Sequence, residues 1–229
     1  MRLNFNDRGR CELNSYMKFN IAPTLVATTL AVLFAGSAQA VQITIEGPFV
    51  TTTSVTGASV ETFNSGNCGT YVSCTGDYQI VSGSVGGQYA QPAGTSGPYL
   101  SVPNPARTGS ATLDLGTTAN YFGLYWGSID RYNTLSFLLN DDEVVAFTGK
   151  EIAEEFLGAA NGDQSADTSN RYFNFFFGNQ LFDAVKLDSQ GRAFETDNHA
   201  FATVPEPGTL ALLALGLTGL LVARRRKQV

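Results

Sequence analysis

Five carboxylates, Asp130, Asp141, Asp142, Glu195 and Asp197, are the side chains best suited to acid–base chemistry in this sequence. Two of them flanking a sugar linkage could hydrolyse it, but that mechanism depends on a separation in space that sequence leaves open. Most carboxylates of an acidic domain are solvated, so a secreted hydrolase is only the third of three functional readings. The single histidine, His199, would share a strand face with Asp197 and Phe201 in an extended segment. One histidine cannot build a two-histidine zinc motif, and no Gly-x-Ser-x-Gly turn presents a serine nucleophile. The glycine-rich run from Ser82 to Gly87 lacks the lysine and the following helix of a phosphate loop. No enzymatic activity is expected.

Binding chemistry has two candidates. Trp126, with Tyr125, Ser128, Asp130 and Tyr132 beside it, could stack on a sugar ring and rim it with hydrogen bonds, which makes Trp126, Asp130 and Tyr132 the glycan-contact candidates. The competing reading, preferred because both faces of its segment are apolar, is a core tryptophan beside a hairpin. Asn161-Gly162-Asp163 with Asp167 and Asn170 offers oxygen ligands without the spacing or terminal Glu of an EF-hand loop. No metal site or cofactor is therefore assigned, with calcium left open.

These residues must be positioned by strands. Short segments rich in β-branched and aromatic residues, separated by Gly, Asn, Asp and Ser, predict strands at Gln42 to Ile45, Tyr78 to Val85, Ser110 to Leu115, Tyr121 to Trp126 and Tyr132 to Leu139. Others follow at Val144 to Phe147, Arg171 to Phe177, Phe182 to Leu187 and Ala193 to Thr203. Ala111, Leu113 and Leu115 alternate with Thr112 and Asp114, which buries one face. Asn140 to Glu143 is expected to turn a hairpin through Asx side chains bonding their own backbone. One short helix is expected from Lys150 to Leu157, with Thr148 and Glu151 as a capping box and Gly158 as its stop. Gly86 to Arg107 is expected to be a loop. The predicted fold is all-β, an antiparallel β-sandwich of jelly-roll type with one short helix.

The two ends carry topogenic signals. From Met17, the preferred true start, Lys18 precedes an apolar run from Ile21 to Phe34, and Ala38-Gln39-Ala40 is the small-x-small pattern that signal peptidase accepts. At the other end Val204-Pro205-Glu206-Pro207 precedes the uncharged stretch Gly208 to Ala223, followed by Arg224, Arg225, Arg226 and Lys227. As a helix that stretch is ~24 Å long, short of a ~30 Å hydrocarbon core but able to span a thinned bilayer. The basic cluster stays cytoplasmic by the positive-inside rule and leaves the domain outside. The chain thus divides into a signal peptide (1–40), an extracytoplasmic domain (41–203) and a C-terminal signal (204–229) with a membrane helix over 208–223.

Of the chain's 20 acidic residues, removing Asp7, Glu12 and Glu206 leaves 17 in the domain, against the six basic residues Arg107, Arg131, Lys150, Arg171, Lys186 and Arg192. A net charge of −11 repels phosphate backbones, so no nucleic-acid partner is expected. Cleavage after Ala40 removes Cys11 and leaves Cys68 and Cys74, with five residues between them in an oxidising compartment, which should pair.

The order Pro-Glu-Pro, apolar span and Arg-rich end resembles the PEP-CTERM sorting domain of Gram-negative bacteria, whose exported members are processed by an exosortase. The block from Tyr121 to Phe137, with Ala193 to Asn198, is similar to one family of exosortase-dependent surface proteins, a likeness that bears on location and fold. Phe194-Glu195-Thr196-Asp197-Asn198 also resembles the closing strands of carbohydrate-binding jelly rolls. The resemblance implies transient residence in the inner membrane through the C-terminal helix, an exosortase-like partner, and a final place on the cell surface or in the extracellular matrix. A structural or adhesive role with exopolysaccharide or biofilm material is expected, with a carbohydrate-binding module as the alternative.

Overall fold

The computed structural model describes residues 40–205 together with Gly216 and Thr218. The predicted signal peptide up to Gln39, with Ala38 of its expected cleavage pattern, lies outside the described residues, as do Glu206, Pro207 and the basic tail Arg224 to Lys227. Of the predicted membrane helix only Gly216 and Thr218 are described, both helical. Among the described residues no helix is long and apolar enough to cross a membrane.

In chain order the elements are β1 (Gln42–Ile45), β2 (Ser59–Glu61), β3 (Ser73–Gly76), β4 (Gln79–Ser82), β5 (Pro98–Val102), β6 (Gly109–Ala119) and β7 (Tyr121–Gly127). They continue with β8 (Asn133–Leu139), β9 (Asp142–Thr148), α1 (Gly149–Phe156), β10 (Arg171–Phe176), β11 (Phe182–Ser189) and β12 (Phe194–Ala202). Two antiparallel sheets form. One runs β1-β10-β7-β12-β5-β4 with β2 also paired to β12, and the other runs β3-β6-β11-β8-β9.

The alternation predicted for β6 holds, with Ala111, Leu113 and Leu115 buried between half-exposed Thr112 and Asp114. The core between the sheets is aromatic: Phe137 of β8 lies 5.6 Å from Phe122 of β7 and 5.4 Å from Phe175 of β10, centroid to centroid. β7 is buried on both faces. Its outward tyrosines are covered by chain crossing the sheet, because the Tyr121 hydroxyl bonds Thr53 Oγ1 and that of Tyr125 donates to the Ala93 carbonyl. Gly123 makes room for this layer, since a Cβ there would stand 2.5 Å from the Tyr121 hydroxyl and 2.6 Å from that of Tyr172.

Three strands depart from expectation. β5 lies inside the segment expected to be a loop, where flanking Gly and Pro mask a five-residue run whose Tyr99, Leu100 and Val102 are fully buried. β2 and β3 are short and nearly without apolar residues, and their pairing with β12 and β6 defines them. The hairpin also works differently. Leu139 pairs with Asp142, so the turn is only Asn140-Asp141, at φ 52° and 69°. That is the left-handed pair of a two-residue hairpin, reached by backbone conformation rather than by Asx bonding. The helix starts at Gly149 under the expected capping box, and Gly158 follows its end at φ 94°.

The register sets the two ends of the sandwich. Gln42, Phe176, Tyr121 and Ala202 lie in one row across the first sheet, so the chain enters and leaves the domain at the same end. At the opposite end, connections 103–108, 128–132, 149–170 and 190–193 gather beyond Val102, Gly127, Thr148 and Ser189.

Candidate functional site

The gathered connections form a crevice. One part, about 290 Å³, is lined by Gly87, Arg107, Thr108, Gln190, Gly191 and Arg192. A smaller part of about 60 Å³ shares Gly87 and Arg192 and adds Gln88, Tyr89, Gln164 and Glu195. Arg192 is the wall between them. Its guanidinium donates to the Ala106 carbonyl at 3.0 Å, to the Pro105 carbonyl, and to the Gly87 carbonyl at 3.5 Å, strapping two loops together.

Glu195, 2 % exposed, is the floor. Its carboxylate accepts the Ala90 N–H and the Ser128 hydroxyl, both at 2.8 Å. Burial pushes its pKa up to about 8, and those hydrogen bonds offset only part of the rise. Ser128 sits at φ 40° and donates its N–H to Asn170. Tyr132 places its hydroxyl between Asp130 Oδ2, at 2.6 Å, and the Arg192 carbonyl, at 2.9 Å. Burial raises the Asp130 pKa, and burial with the adjoining carboxylate raises that of Tyr132. Glycine at 191 lets the Tyr132 ring lie against the backbone, where a Cβ would meet it at 2.8 Å.

Trp126 belongs elsewhere. It is fully buried, stacked on Phe194 at 4.4 Å, and its Nε1 has no partner. The core tryptophan preferred from sequence is what strand alternation delivers, which takes Trp126 out of the candidate glycan contacts, while Tyr132 and its partner Asp130 follow the strand, with the Tyr132 hydroxyl on the Arg192 carbonyl. His199 is also interior, bonded through Nδ1 to the Tyr71 hydroxyl and through Nε2 to Thr196 Oγ1, each at 2.8 Å. Burial lowers its pKa to about 3, so it is neutral at ordinary pH. It does not share a face with Asp197 as expected, because Asn198, at φ 50°, inserts a bulge between them.

The oxygen-rich loop spends its ligands on itself. Asp163 Oδ1 accepts from the Ser165 N–H and hydroxyl and the Ala166 N–H, and Asn161 Oδ1 accepts from Asp163 N–H and the Ser169 hydroxyl. Asp167 meets Arg171 at 3.3 Å. Asn170 Oδ1 takes the Ala93 and Ser128 N–H groups, and its amide donates to the Asp163 and Ala166 carbonyls, pinning three segments. Among the described residues no group of three or more His, Cys, Asp or Glu side chains converges on a metal position.

Cys68 and Cys74 form a disulfide. The loop it closes is tied down by Glu61, which accepts the Phe63 N–H at 2.6 Å and the Thr70 N–H at 2.7 Å. It delivers Tyr71 to His199. Glu195 is among the carboxylates the sequence offers, but neither its buried place on the floor nor the strapping role of Arg192 follows from sequence, since their partners are mostly backbone groups remote in the chain.

At the opposite end the sandwich runs into residues 203–227, which match the PEP-CTERM protein-sorting motif. The chain therefore carries that motif, which implies export, processing by an exosortase and sorting to the cell envelope or surface. A comparison with curated proteins finds no match. Among solved structures, "CpGH89CBM32-6 produced by Clostridium perfringens" is similar at 9% identity and a TM-score of 0.30, covering 56% of this chain and 94% of that one. At that TM-score the likeness carries no argument.

Proposed function

We propose that this chain is an exosortase-sorted protein of a Gram-negative cell surface or extracellular matrix, passing through the inner membrane, with a structural or adhesive role in exopolysaccharide or biofilm material. The observation that carries it is the row Gln42–Phe176–Tyr121–Ala202, which sends both ends of the domain out on one side. A domain tethered there turns its crevice away from the membrane, as a surface contact requires. The division at residues 40 and 204 fits this arrangement. A jelly roll is supported by the order β5-β12-β7-β10 in one sheet and β6-β11-β8-β9 in the other, in which successive strands from β5 to β8 and β9 to β12 alternate between sheets.

The role is read as non-enzymatic and without a cofactor, with calcium left open, because Glu195, Asp130 and the loop oxygens already hold structural hydrogen bonds. The second reading, a carbohydrate-binding module, rests on the crevice beside Arg192 and Tyr89 rather than on Trp126. The test expresses the tagged full chain in exosortase-positive cells and measures its co-sedimentation with their exopolysaccharide. Retention that free glycans do not compete supports the structural role, and competition by a defined glycan supports the module. Recovery of all the protein as a soluble secreted species would defeat both.

A further inference from the structure

The strongest unexplained feature is the way the chain leaves the domain. Asn120, 6 % exposed, sits in the turn between β6 and β7 with all its polar groups engaged. Its main-chain N–H donates to the Ala202 carbonyl at 3.1 Å, and its own carbonyl accepts from Phe177. Its side-chain oxygen accepts the Val204 N–H at 2.7 Å, while its amide donates to the Val204 carbonyl at 2.9 Å and to the Gly178 carbonyl at 2.7 Å. Thr203 is tied separately, through its hydroxyl to the Thr118 carbonyl at 3.0 Å. The sandwich therefore holds both backbone groups of the residue that directly precedes Pro205-Glu206-Pro207.

An enzyme that grips an extended peptide does so largely through backbone N–H and C=O groups. At Val204 both are taken. Pro205 is exposed and, as proline, has no N–H to give, so it is the first residue from which a partner can read the chain freely. Proline also biases the residue before it, Val204, toward an extended conformation. Three residues, Pro205 to Pro207, reach only about 10 Å when extended, so a clamp at Val204 sets how far the motif can lie from the domain before the uncharged stretch that begins at Gly208.

We propose that Asn120 is a positioning residue for C-terminal processing: it fixes Val204 to the sandwich, offers the processing enzyme the chain from Pro205 onward, and leaves Val204 on the mature domain. This rests on the sorting function proposed above. The bond broken is a peptide bond on the C-terminal side of Val204. With water as the acceptor, its hydroxyl goes to the acyl carbon to give the domain's new carboxylate, and its proton goes to the amine of the departing C-terminal fragment.

The experiment follows the full chain in exosortase-positive cells by pulse-chase and intact-mass measurement. The wild type should yield a mature C-terminus at Val204 or beyond. Asn120→Ala removes three side-chain hydrogen bonds and should slow processing about tenfold. Asn120→Asp keeps the acceptor for the Val204 N–H but sets a carboxylate oxygen against the Val204 and Gly178 carbonyls, so it should stay slower than the wild type. Asn133→Ala is the matched control, since it removes an equally buried asparagine that bonds Ser189 and Asp130 at the far end, and it should be processed at the wild-type rate. If Asn120→Ala fails to fold, hydrogen exchange at the Val204 amide of the detergent-solubilised wild type decides, with protection expected. A mature terminus before Val204, an unprotected Val204 amide, or equal rates for Asn120→Ala and wild type overturns the positioning role alone. So does slowing in Asn133→Ala that matches Asn120→Ala. A wild type never processed in these cells overturns the sorting function as well.

Discussion

Three buried titratable side chains decide how this domain responds to pH. Burial raises Glu195 to about 8 and Asp197 to about 7, so between pH 4.5 and those values the folded state keeps protons that the unfolded chain has shed. Their contribution to stability is full below their ordinary values and falls as pH rises. His199 acts in the other direction: with a folded value of about 3, it stays neutral while the unfolded histidine charges below pH 6.5, so stability is lost as pH falls through that window. From pH 4.5 to 6.5 two acids oppose one histidine, and above 6.5 the acids act alone. Stability to urea should therefore peak near pH 4 to 5 and decline toward pH 8, by about 1.4 kcal/mol per pH unit for each net proton. Glu195→Gln should flatten the alkaline limb, and an unchanged slope in that variant would refute the assignment. Trp126 makes a second residue-scale case. Its contacts with Phe194 and Phe173 lie inside the core, so Trp126→Ala should lower stability by about 3 to 5 kcal/mol, read as a shifted urea midpoint. A folded variant at the wild-type midpoint would show that the indole carries no packing load.

The elements separate what sequence pattern reveals from what it hides. β6, β7, β8 and β10 were legible because long alternating or doubly apolar runs have no other comfortable conformation, and α1 because Thr148 and Glu151 cap it reciprocally. β5 was hidden because Pro98 and the glycines before it read as loop, although Tyr99, Leu100 and Val102 fill the interior. The site was less legible still. Arg192 and Glu195 take their roles from carbonyls and N–H groups about ninety or more residues away, which no local pattern encodes. β3 is the extreme case, with Ser, Cys, Thr and Gly in place of an apolar face, and the Cys68–Cys74 bond holds its approach. The short closed loop limits that bond to about 2 to 3 kcal/mol by chain entropy. Reduction should lower thermal stability by that amount and free the Tyr71–His199 contact. Two thiols open to alkylation in native exported protein would contradict the pairing.

On the scale of the whole molecule, one asymmetry organises the rest. Both ends of the domain emerge from the row that contains Gln42 and Ala202, while the crevice around Arg192 occupies the opposite pole. An acidic domain with a net charge of −11 has no electrostatic reason to lie flat on anionic lipid, so a short tether should leave it upright. In cells lacking an exosortase the C-terminal span should act as a stop-transfer anchor and hold the domain in that pose. Single cysteines can read it. Thr108→Cys places a thiol at the crevice end, and Gln180→Cys places one in the turn after Phe177, beside Asn120, and both positions are exposed. In intact spheroplasts a bulky thiol reagent should modify Thr108→Cys several-fold faster than Gln180→Cys, and detergent should bring the two rates together, because only the anchored form has a membrane beneath one pole. Equal rates before detergent would mean that the domain tumbles freely on its tether, and faster labelling at Gln180→Cys would mean that the crevice faces the membrane instead of the surroundings.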